Sequence, residues 1–450
     1  MQTQDTRAAG SLAAVFSVRL LGLFMIYPVF ADYAGGLAHA TPYTIGLALG
    51  IYGLTQGLLQ IPFGLMSDRV GRKPMIVFGL LVFALGSVVA ALSGSIMGVV
   101  AGRALQGAGA VGSVILALVA DLTAEENRTK AMATVGITIG FSFMIAVVAG
   151  PIVAGLVGVA GIFWLMVVLG LAGIGITLFV VPSPPALRVR RDAETVPSML
   201  GGVLKNGELL RLDFGIFALH AMLTASFLVV PGLLHSAVGV NDDNQWLVYL
   251  PVLVVSVAIM VPAIIVAEKH RRMKAVLVGA VAALAFSQFL LAFSGGAVAV
   301  LVAVTIFFAG FNVMEASLPS LITKTAPAVA KGTATGVYSS SQFIGIFVGG
   351  VFGGWVHQAG GDTGVFVLTG VLALVWLAIA AGMKPPSYLT TRLVRLGSTG
   401  AAPRAGLAQR LKEVPGVADA VVIAEEGLAY LKVDSRSFDA AAAEALAQAN

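Results

Sequence analysis

The stretch GLMSDRVGRK, residues 64–73, places four charged side chains and two glycines between two long apolar runs. The whole chain of 450 residues is 58% hydrophobic and 11% charged, with a mean hydropathy of +0.95. These values lie far outside the range of soluble domains. A bilayer core about 30 Å thick needs roughly 20 apolar residues per spanning helix, and such runs recur up to residue 383. The sequence therefore predicts an integral membrane protein in which residues 64–73 join two spans.

The apolar runs alternate with two kinds of turn. Twelve spans are predicted, at 12–34, 44–66, 75–94, 98–120, 131–154, 161–181, 213–235, 245–267, 275–294, 298–321, 333–356 and 364–383. The odd-numbered turns carry no Lys or Arg, whereas the even-numbered turns carry nearly all of them. Because basic loops stay on the cytoplasmic side, both termini are expected in the cytoplasm and the chain in the cytoplasmic (inner) membrane.

Composition also bounds the chemistry. The chain has no cysteine, which excludes disulfides, thiolate metal sites and cysteine nucleophiles. No nucleophile–base pair, metal-ligand cluster or phosphate-binding glycine loop is recognisable, so we expect neither an enzyme nor ATP-driven transport by this chain. No metal, cofactor or nucleic-acid partner is expected. No cleavage site follows the first apolar run, which is expected to remain as an anchor.

An internal repeat relates the two parts of the chain. IPFGLMSDRVGRKPMIV at 61–77 aligns with VPAIIVAEKHRRMKAVL at 261–277 at an offset of 200. The offset pairs Pro62 with Pro262, Asp68 with Glu268, Arg69 with Lys269 and Arg72 with Arg272. Chance similarity between two basic loops is the alternative. The predicted organisation is an N-terminal six-helix half at 1–181, a linker at 182–212, a C-terminal half at 213–386 and a small domain at 387–450.

Three motifs resemble those of the major facilitator superfamily. GLMSDRVGRK resembles its loop 2–3 signature, and GRALQGAGA at 102–110 resembles its helix 4 signature, carried by Arg103, Gln106 and Gly107. AGPIVAG at 149–155 resembles the helix 5 motif of the antiporter branch, with Gly150, Pro151 and Gly155 in place but alanines at 146 and 154. Segments such as GIYGLTQGLLQIPFGL and DLTAEENRTKAMA resemble the YajR-type proton-coupled exporters.

The resemblance implies a fold and a mechanism. The fold is an all-α membrane protein with twelve transmembrane helices in two six-helix halves, followed by a small α+β ferredoxin-like domain. The mechanism is alternating access with a site near the midplane between the halves. The coupling ion is expected to be H⁺, and drug/proton antiport (efflux) is favoured because of the partial antiporter motif.

The charged loop is interpreted as a conformational latch. Asp68 ends the second span, and the eleventh span begins on the same side. A carboxylate near helix N–H groups gains about 0.3–2 kcal/mol, so this contact would stabilise the outward-open state. Simple anchoring of the loop by basic residues is the alternative. The predicted latch residues are Gly64, Asp68, Arg69, Gly71, Arg72, Lys73, Asp121 and Arg128.

Ionisable and polar residues inside the spans are candidates for the proton and substrate pathway, because intramembrane charge costs about 2.5–3.5 kcal/mol. Glu315 is interpreted as the only acid, and Arg103 as the only base, well inside a span. Asp32 is either a pathway acid or an interfacial residue, and each of the others is either a pathway group or a packed hydrogen-bonding group. The full predicted pathway set is Asp32, Arg103, Gln106, Glu315, His220, Asn312, Gln342 and Tyr27.

Past Tyr388 the composition becomes that of a soluble domain. TRLVRLG predicts a strand, AGLAQRLKEVPGV a helix, ADAVVIAEE and GLAYLKVD a hairpin, and SFDAAAAEALAQAN a final helix. The order βαββα resembles a ferredoxin-like module without its last strand, which leaves one sheet edge open for pairing. The domain is interpreted as regulatory, binding a small ligand or another copy of the chain, with a passive appendage as the alternative.

Three functions are compatible with these patterns. The first is a proton-coupled exporter of a small molecule, lipophilic or cationic, embedded in the lipid bilayer. The second is a transporter of one specific metabolite, which would have a narrow substrate profile. The third is a membrane sensor that signals through residues 392–450 and binds its ligand without flux.

Overall fold

The computed structural model describes most of the chain. The described residues are 3–123, 125–183, 199–293, 295–327, 330–385, 389–397, 406–423, 427–434 and 436–448. Residues 184–198, about half of the predicted linker at 182–212, therefore lie outside the described residues. Within the described residues the membrane part is helical, and the only sheet lies near the C-terminus.

The membrane part consists of helices α1 to α14 in chain order. These are α1 Thr3–Met25, α2 Phe30–Gly35, α3 Pro42–Val70, α4 Arg72–Leu92, α5 Ile96–Ala108, α6 Gly112–Leu122, α7 Glu125–Phe179, α8 Leu200–Val203, α9 Gly207–Ser226, α10 Val230–Leu233, α11 Trp246–Lys269, α12 Met273–Phe293, α13 Ala297–Thr325 and α14 Lys331–Ala381. A π-helical turn, Leu234–Val238, follows α10, and a 3₁₀ turn, Asp242–Asn244, precedes α11.

Ten stretches of the described chain are long and apolar enough to cross a membrane. Two of them, in α7 and α14, are 46 and 51 residues long. Each contains a glycine with non-helical backbone angles, Gly158 (φ 71°) in α7 and Gly361 (φ 62°) in α14. Because glycine adopts positive φ without steric cost, each long helix turns back on itself there. Counting each as two spans gives the twelve predicted from the sequence.

The first helix of each half is interrupted, which the sequence did not predict. The run predicted as one helix at 12–34 is α1 and α2, joined by a turn at 26–29. The run predicted at 213–235 is α9 and α10, joined by a turn at 227–229, and α9 begins six residues earlier than expected. Both turns consist mainly of apolar residues, so the hydropathy of the sequence does not distinguish them from the helices on either side. The fourth predicted span is likewise divided into α5 and α6.

The two halves meet along long helices. In the N-terminal half α1 packs along α7, and α4 packs against α5 and α7. In the C-terminal half α14 packs against α9 and α12, and α13 packs against α11 and α12. The contact between halves is made chiefly by α3 and α14. One large buried cluster of apolar side chains extends through both halves, so the site lies within a continuous packed core.

The C-terminal domain has the predicted βαββα order. Its elements are β1 Thr390–Arg395, α15 Leu407–Lys412, β2 Val417–Ile423, β3 Leu428–Val433 and α16 Ala440–Gln448. The three strands are antiparallel in the order β1-β3-β2, with Leu393 opposite Tyr430. In the described sheet β1 is therefore an edge strand on its outer side. One face of the sheet packs on both helices through Val394, Leu407, Leu431 and Ala443.

This domain contacts the ends of α11 and α13 that are followed by basic loops. The Lys432 ammonium on β3 donates hydrogen bonds of 3.0 Å to the carbonyls of Thr323 and Lys324, in the last turn of α13. A cation at the carbonyl end of a helix is favourable, because the helix dipole is negative there. Arg271, between α11 and α12, forms an ion pair of 2.9 Å with Asp434.

Candidate functional site

A cluster of polar side chains lies inside the C-terminal half. The Nε2 of Gln342 on α14 is 2.8 Å from the Nε2 of His220 on α9, and the Nδ1 of His220 is 3.3 Å from the Ile216 carbonyl. A neutral imidazole with its proton on Nδ1 satisfies both contacts, because Gln342 then donates to Nε2. The Glu315 carboxyl on α13 approaches from a third side, with Oε2 at 3.8 Å from His220 Nε2.

The Glu315 carboxyl is only partly satisfied. Its side chain is 26% exposed, but Oε2 is buried and has no hydrogen-bond partner among the described residues. The arrangement brings together three predicted pathway residues from three helices: His220, Gln342 and Glu315. A proton added to this carboxyl would give Oε2 a donor within short reach of the imidazole.

The N-terminal half contains a cluster of opposite charge. Arg103, fully buried on α5, donates to Gln106 Oε1 at 2.9 Å and to the Ala48 carbonyl at 3.4 Å. Its guanidinium also lies over the Tyr52 ring, 4.9 Å from the centroid, a distance at which cation–π attraction is significant. Gln106 in turn donates to Ser87 Oγ at 2.8 Å. Two of the three predicted helix 4 signature residues, Arg103 and Gln106, therefore interact directly.

Two buried charged residues were missed by the sequence analysis. Arg19 on α1 is 1% exposed, and its guanidinium donates to the Tyr52 hydroxyl at 2.5 Å and to Gln56. Asp213 on α9 is 5% exposed. The interpretation of Arg103 as the only base and Glu315 as the only acid inside a span is therefore wrong. Arg19 lay inside a predicted span and could have been found, whereas Asp213 was assigned to a helix end.

The remaining predicted pathway residues lie in different surroundings. Tyr27, at the α1–α2 turn, is 3.2 Å from the Thr224 hydroxyl of α9 and joins the two halves. Asn312 donates to Ser256 at 2.7 Å within the C-terminal half, one turn from Glu315. Asp32 is exposed in the short helix α2, at the end of the first span away from the basic loops, which we call the outer side. The structure thus places Asp32 apart from His220, Gln342 and Glu315, which together form the Glu315 cluster.

Glycines allow α3 and α14 to touch backbone to backbone at their outer halves. A Cβ built on Gly50 would lie 2.8 Å from the Phe347 carbonyl oxygen, and one built on Gly350 would lie 2.9 Å from Gly50 Cα. Gly46 and Gly354 face each other in the same way. Ordinary carbon contacts are about 3.5–4.0 Å, so no larger residue fits. These four glycines, the glycine seam, close the two halves together on the outer side.

The opposite ends of α3 and α14 are separated by a crevice. It is lined from α3 by Gln60, Gly64 and Asp68, and from α14 by Gly332 and Ser339. The crevice opens at the ends that carry the basic loops. The described halves therefore touch on one side and part on the other.

The charged loop forms a buried cluster at the mouth of this crevice. Arg72, at the start of α4, is 2% exposed and donates to Asp68, to Ser67 Oγ at 2.6 Å and to Asp121 at 3.1 Å. Gly71, between α3 and α4, has a φ of 106°, which a residue with a side chain would adopt only under strain.

Three other predicted latch residues, Gly64, Arg69 and Lys73, form no side-chain hydrogen bond with the charged groups of this cluster among the described residues. Gly64 faces Ser113 from inside α3, Arg69 is exposed, and Lys73 is half-buried. The side chain of Arg128 lies outside the described residues. Asp68, Arg72 and Asp121 are therefore the part of the predicted set that the structure brings together.

The antiporter-motif residues lie where helix α7 meets neighbouring loops. A Cβ on Gly150 would lie 3.0 Å from Pro28 at the α1–α2 turn. A Cβ on Gly155 would lie 3.0 Å from the Asp243 side chain, which precedes α11 in the other half. Pro151 lies inside α7 between them. Both glycines permit close approach on the outer side.

Comparison with known families identifies the chain. The profile of the Major Facilitator Superfamily matches residues 12–349 and 212–415, and the profile of the YajR YAM domain matches residues 396–448. The chain belongs to the major facilitator superfamily. It is therefore a membrane transporter rather than an enzyme, as its motifs predicted, with a YAM-type domain after its last span.

Individual relatives support the same assignment. The chain is 45% identical over 437 residues to the inner membrane transport protein YajR of Escherichia coli strain K12, covering 97% of this chain and 96% of that protein. It is 27% identical over 357 residues to the multidrug resistance protein MdtH of Aeromonas hydrophila, covering 75% and 85%. A bacterial homologue of the human lysosomal transporter Spinster, in an inward-facing and occupied conformation, shares the fold at a TM-score of 0.68 and 14% identity, covering 85% and 97%.

Proposed function

We propose that this superfamily member is a proton-coupled exporter of the cytoplasmic membrane, with both termini in the cytoplasm and Glu315 as its coupling carboxyl. The observation that carries the proposal is the buried Oε2 of Glu315, which has no hydrogen-bond partner among the described residues and lies 3.8 Å from His220. An unpaired carboxylate in the membrane interior is costly. Binding a proton removes that cost, and a partner supplied in another conformation would restore the charge.

Alternating access supplies the second conformation. The glycine seam holds the halves together on the outer side, and the crevice separates them on the side of the basic loops. In the other conformation the glycine seam opens and the crevice closes. Alternation between the two conformations exposes Glu315 to opposite sides of the membrane in turn. A proton moving through 100 mV releases about 2.3 kcal/mol, which supports roughly fiftyfold accumulation per charge.

We propose that the Asp68 cluster, which consists of Asp68, Arg72 and Asp121, stabilises the outward-open state. Ala330, the N-cap residue of α14, provides no side-chain cap for the helix. When the crevice closes, the Asp68 carboxylate comes to the positive end of α14, which contributes about 0.3–2 kcal/mol. Arg72, itself held by Asp121, orients Asp68 for that contact. Protonation of Asp68 would weaken the latch.

The surroundings of the cluster favour an apolar or cationic cargo. A small apolar pocket lies between α9, α12 and α13 and is lined mainly by Phe227, Phe307, Phe308 and Leu291. The relative MdtH is named a multidrug resistance protein. Phe307 and Phe308 lie on the same helix as Glu315, about two turns away. Ring faces and a carboxylate both attract lipophilic cations.

A sensor is the second candidate. Lys432 of the C-terminal domain binds the last carbonyls of α13, and α13 also carries Glu315. Ligand-dependent movement of α13 would therefore reach the domain directly. A sensor binds its ligand without net flux, whereas an exporter moves protons and cargo in opposite directions.

The test is proton flux in liposomes that contain the purified protein and an enclosed pH dye. Pools of lipophilic cations, sugars, amino acids and other metabolites are added in turn, with Glu315→Gln beside the parent. Flux that one pool evokes and Glu315→Gln abolishes supports the exporter. Ligand binding without flux from every pool supports the sensor instead.

A further inference from the structure

Asp213 is a second buried carboxyl group in the C-terminal half. It lies six residues after the start of α9, and the residue is 5% exposed. Both carboxyl oxygens are buried, and neither has a hydrogen-bond partner among the described residues. Trp376 of α14 packs against α9 two residues away, with its indole Nε1 at 3.0 Å from a Cβ built on Gly215. No cation pairs with Asp213 among the described residues.

A carboxylate in this position would be unstable. Burying an ionised carboxylate without a partner costs several kcal/mol even after relaxation, and such groups take up a proton instead. In this conformation Asp213 is accordingly a neutral carboxylic acid. A fully structural role would pair its oxygens with donors, as Asn312 is paired with Ser256. The unpaired oxygens point instead to a group that gains and loses a proton during the cycle.

The position of Asp213 relates it to the Glu315 cluster. Asp213 and His220 are seven residues apart on α9, and therefore lie on one face of the helix about 10 Å apart along its axis. Glu315 is 3.8 Å from His220. Asp213 therefore lies about two helical turns nearer the basic-loop end than Glu315. A proton leaving Glu315 toward that end passes along this face.

Tyr338 lies on α14, one turn from Gln342 toward the basic-loop end. Its hydroxyl is buried and has no hydrogen-bond partner among the described residues, and both carboxyl groups act on it electrostatically. A phenol hydroxyl can donate and accept at once. It can therefore connect two acids that are too far apart to share a proton directly.

The other ionisable groups near this path are few. His220 lies on the same helix, held by Gln342 from α14. At the start of α9, Arg211 and Glu208 form an ion pair of 2.9 Å with each other, outside the buried stretch. His220 and Tyr338 are thus the buried titratable groups along the path from Glu315 to Asp213, and the Arg211–Glu208 ion pair lies at its basic-loop end.

We infer that Asp213 is a second proton-binding site, which receives the proton from Glu315 through Tyr338 and releases it at the basic-loop end. The inference rests on the proposed proton coupling and adds the exit side of the path. The proton leaves the Glu315 carboxyl, passes by hydrogen-bond exchange at the Tyr338 hydroxyl, and is bound by a carboxylate oxygen of Asp213. Release restores the carboxylate once the crevice admits water to it.

Infrared spectroscopy tests the site without knowledge of the cargo. The full chain in lipid nanodiscs is titrated from acid to alkaline pH while the C=O stretch of protonated carboxylic acids is recorded. We expect two buried-acid bands near neutral pH, one lost in Asp213→Asn and the other in Glu315→Gln. Asp362→Asn, at an exposed aspartate, is the control that removes neither. A spectrum of Asp213→Asn identical to that of the parent overturns the inference.

Transport measurements separate a proton path from a structural role. With the cargo pool found above, Asp213→Asn and Tyr338→Phe should reduce proton-driven flux by more than about tenfold, while cargo exchange without a pH gradient stays near the parent rate. Asp213→Glu should retain part of the driven flux and keeps the test valid if Asp213→Asn folds poorly. Equal loss of driven flux and exchange overturns the inference. A parent chain that moves no protons contradicts the proposed function itself, whatever the spectra show.

Discussion

Substitution of Gly350 by alanine should open the outer side of the transporter. In the structure a Cβ at this position lies 2.9 Å from both the Cα and the backbone nitrogen of Gly50, and also against the Gly46 carbonyl. Carbon contacts normally lie at about 3.5–4.0 Å. The glycine seam must therefore widen by about 0.6–1.1 Å, the difference between these distances. Backbone cannot rotate away as a side chain can, so α3 and α14 have to move apart.

The cost of this overlap falls on one conformation only. Overpacking of a close contact costs about 1–3 kcal/mol. The contact is made when the outer side is closed, so the substitution raises the free energy of that state and leaves the outward-open state unaffected. An energy of this size shifts the ratio of the two populations about 5- to 150-fold toward outward-open.

Spin-label distances can measure the shift, because the chain has no natural cysteine. Gly35→Cys and Gly360→Cys place labels on the outer ends of the two halves, at exposed positions with no atom near the added side chain. The matched control is Gly279→Ala, also in a membrane helix, where a Cβ meets nothing within 4 Å. We expect the longer distance to gain population in Gly350→Ala but not in Gly279→Ala. An unchanged distribution in folded Gly350→Ala protein would refute the role of the seam.

Two further predictions concern the basic-loop side. Asp68→Asn should populate the inward-open state, because the latch loses its charge. Thiol reagents should then label a cysteine in the crevice faster, and an unchanged labelling rate would contradict the latch. The pKa of Lys432 is lowered to about 8, mainly by burial and to a smaller extent by the nearby Lys331 ammonium. The pKa of free lysine is about 10.4. The docked lysine thus binds its proton more weakly, so docking of the C-terminal domain should tighten as pH rises from about 8 to about 10. Label distances between domain and membrane part should show this, and Lys432→Met should remove the pH dependence.

The sequence predicted the architecture well, because hydropathy and the distribution of Lys and Arg report directly on membrane helices. The βαββα order of the last domain also followed from alternation and turn residues. The breaks at 26–29 and 227–229 did not follow. Both are made of apolar residues, and only Pro28 gave any local sign of the first. A broken helix in an apolar run has the same hydropathy as a continuous one.

The candidate site was predicted only in part. Glu315, His220 and Gln342 were each recognised as polar residues in apolar spans, but their contact depends on how three helices pack. Arg19 was missed although it lay within a predicted span, and its partner Tyr52 comes from a different helix. Asp213 was missed because the seventh span was predicted to begin at residue 213, which placed Asp213 at a helix end, whereas α9 begins at Gly207. Which buried groups lack partners is a property of tertiary structure that a single sequence does not encode locally.

The central claim is that Glu315 couples proton movement to transport. The most direct measurement is the proton flux evoked by a cargo pool in liposomes holding either the parent or Glu315→Gln, with Asp362→Asn as the control for loss of an acidic side chain outside the site. The account predicts flux in the parent and control and none in Glu315→Gln, although Glu315→Gln still exchanges cargo. Proton flux in Glu315→Gln equal to that of the parent would contradict it.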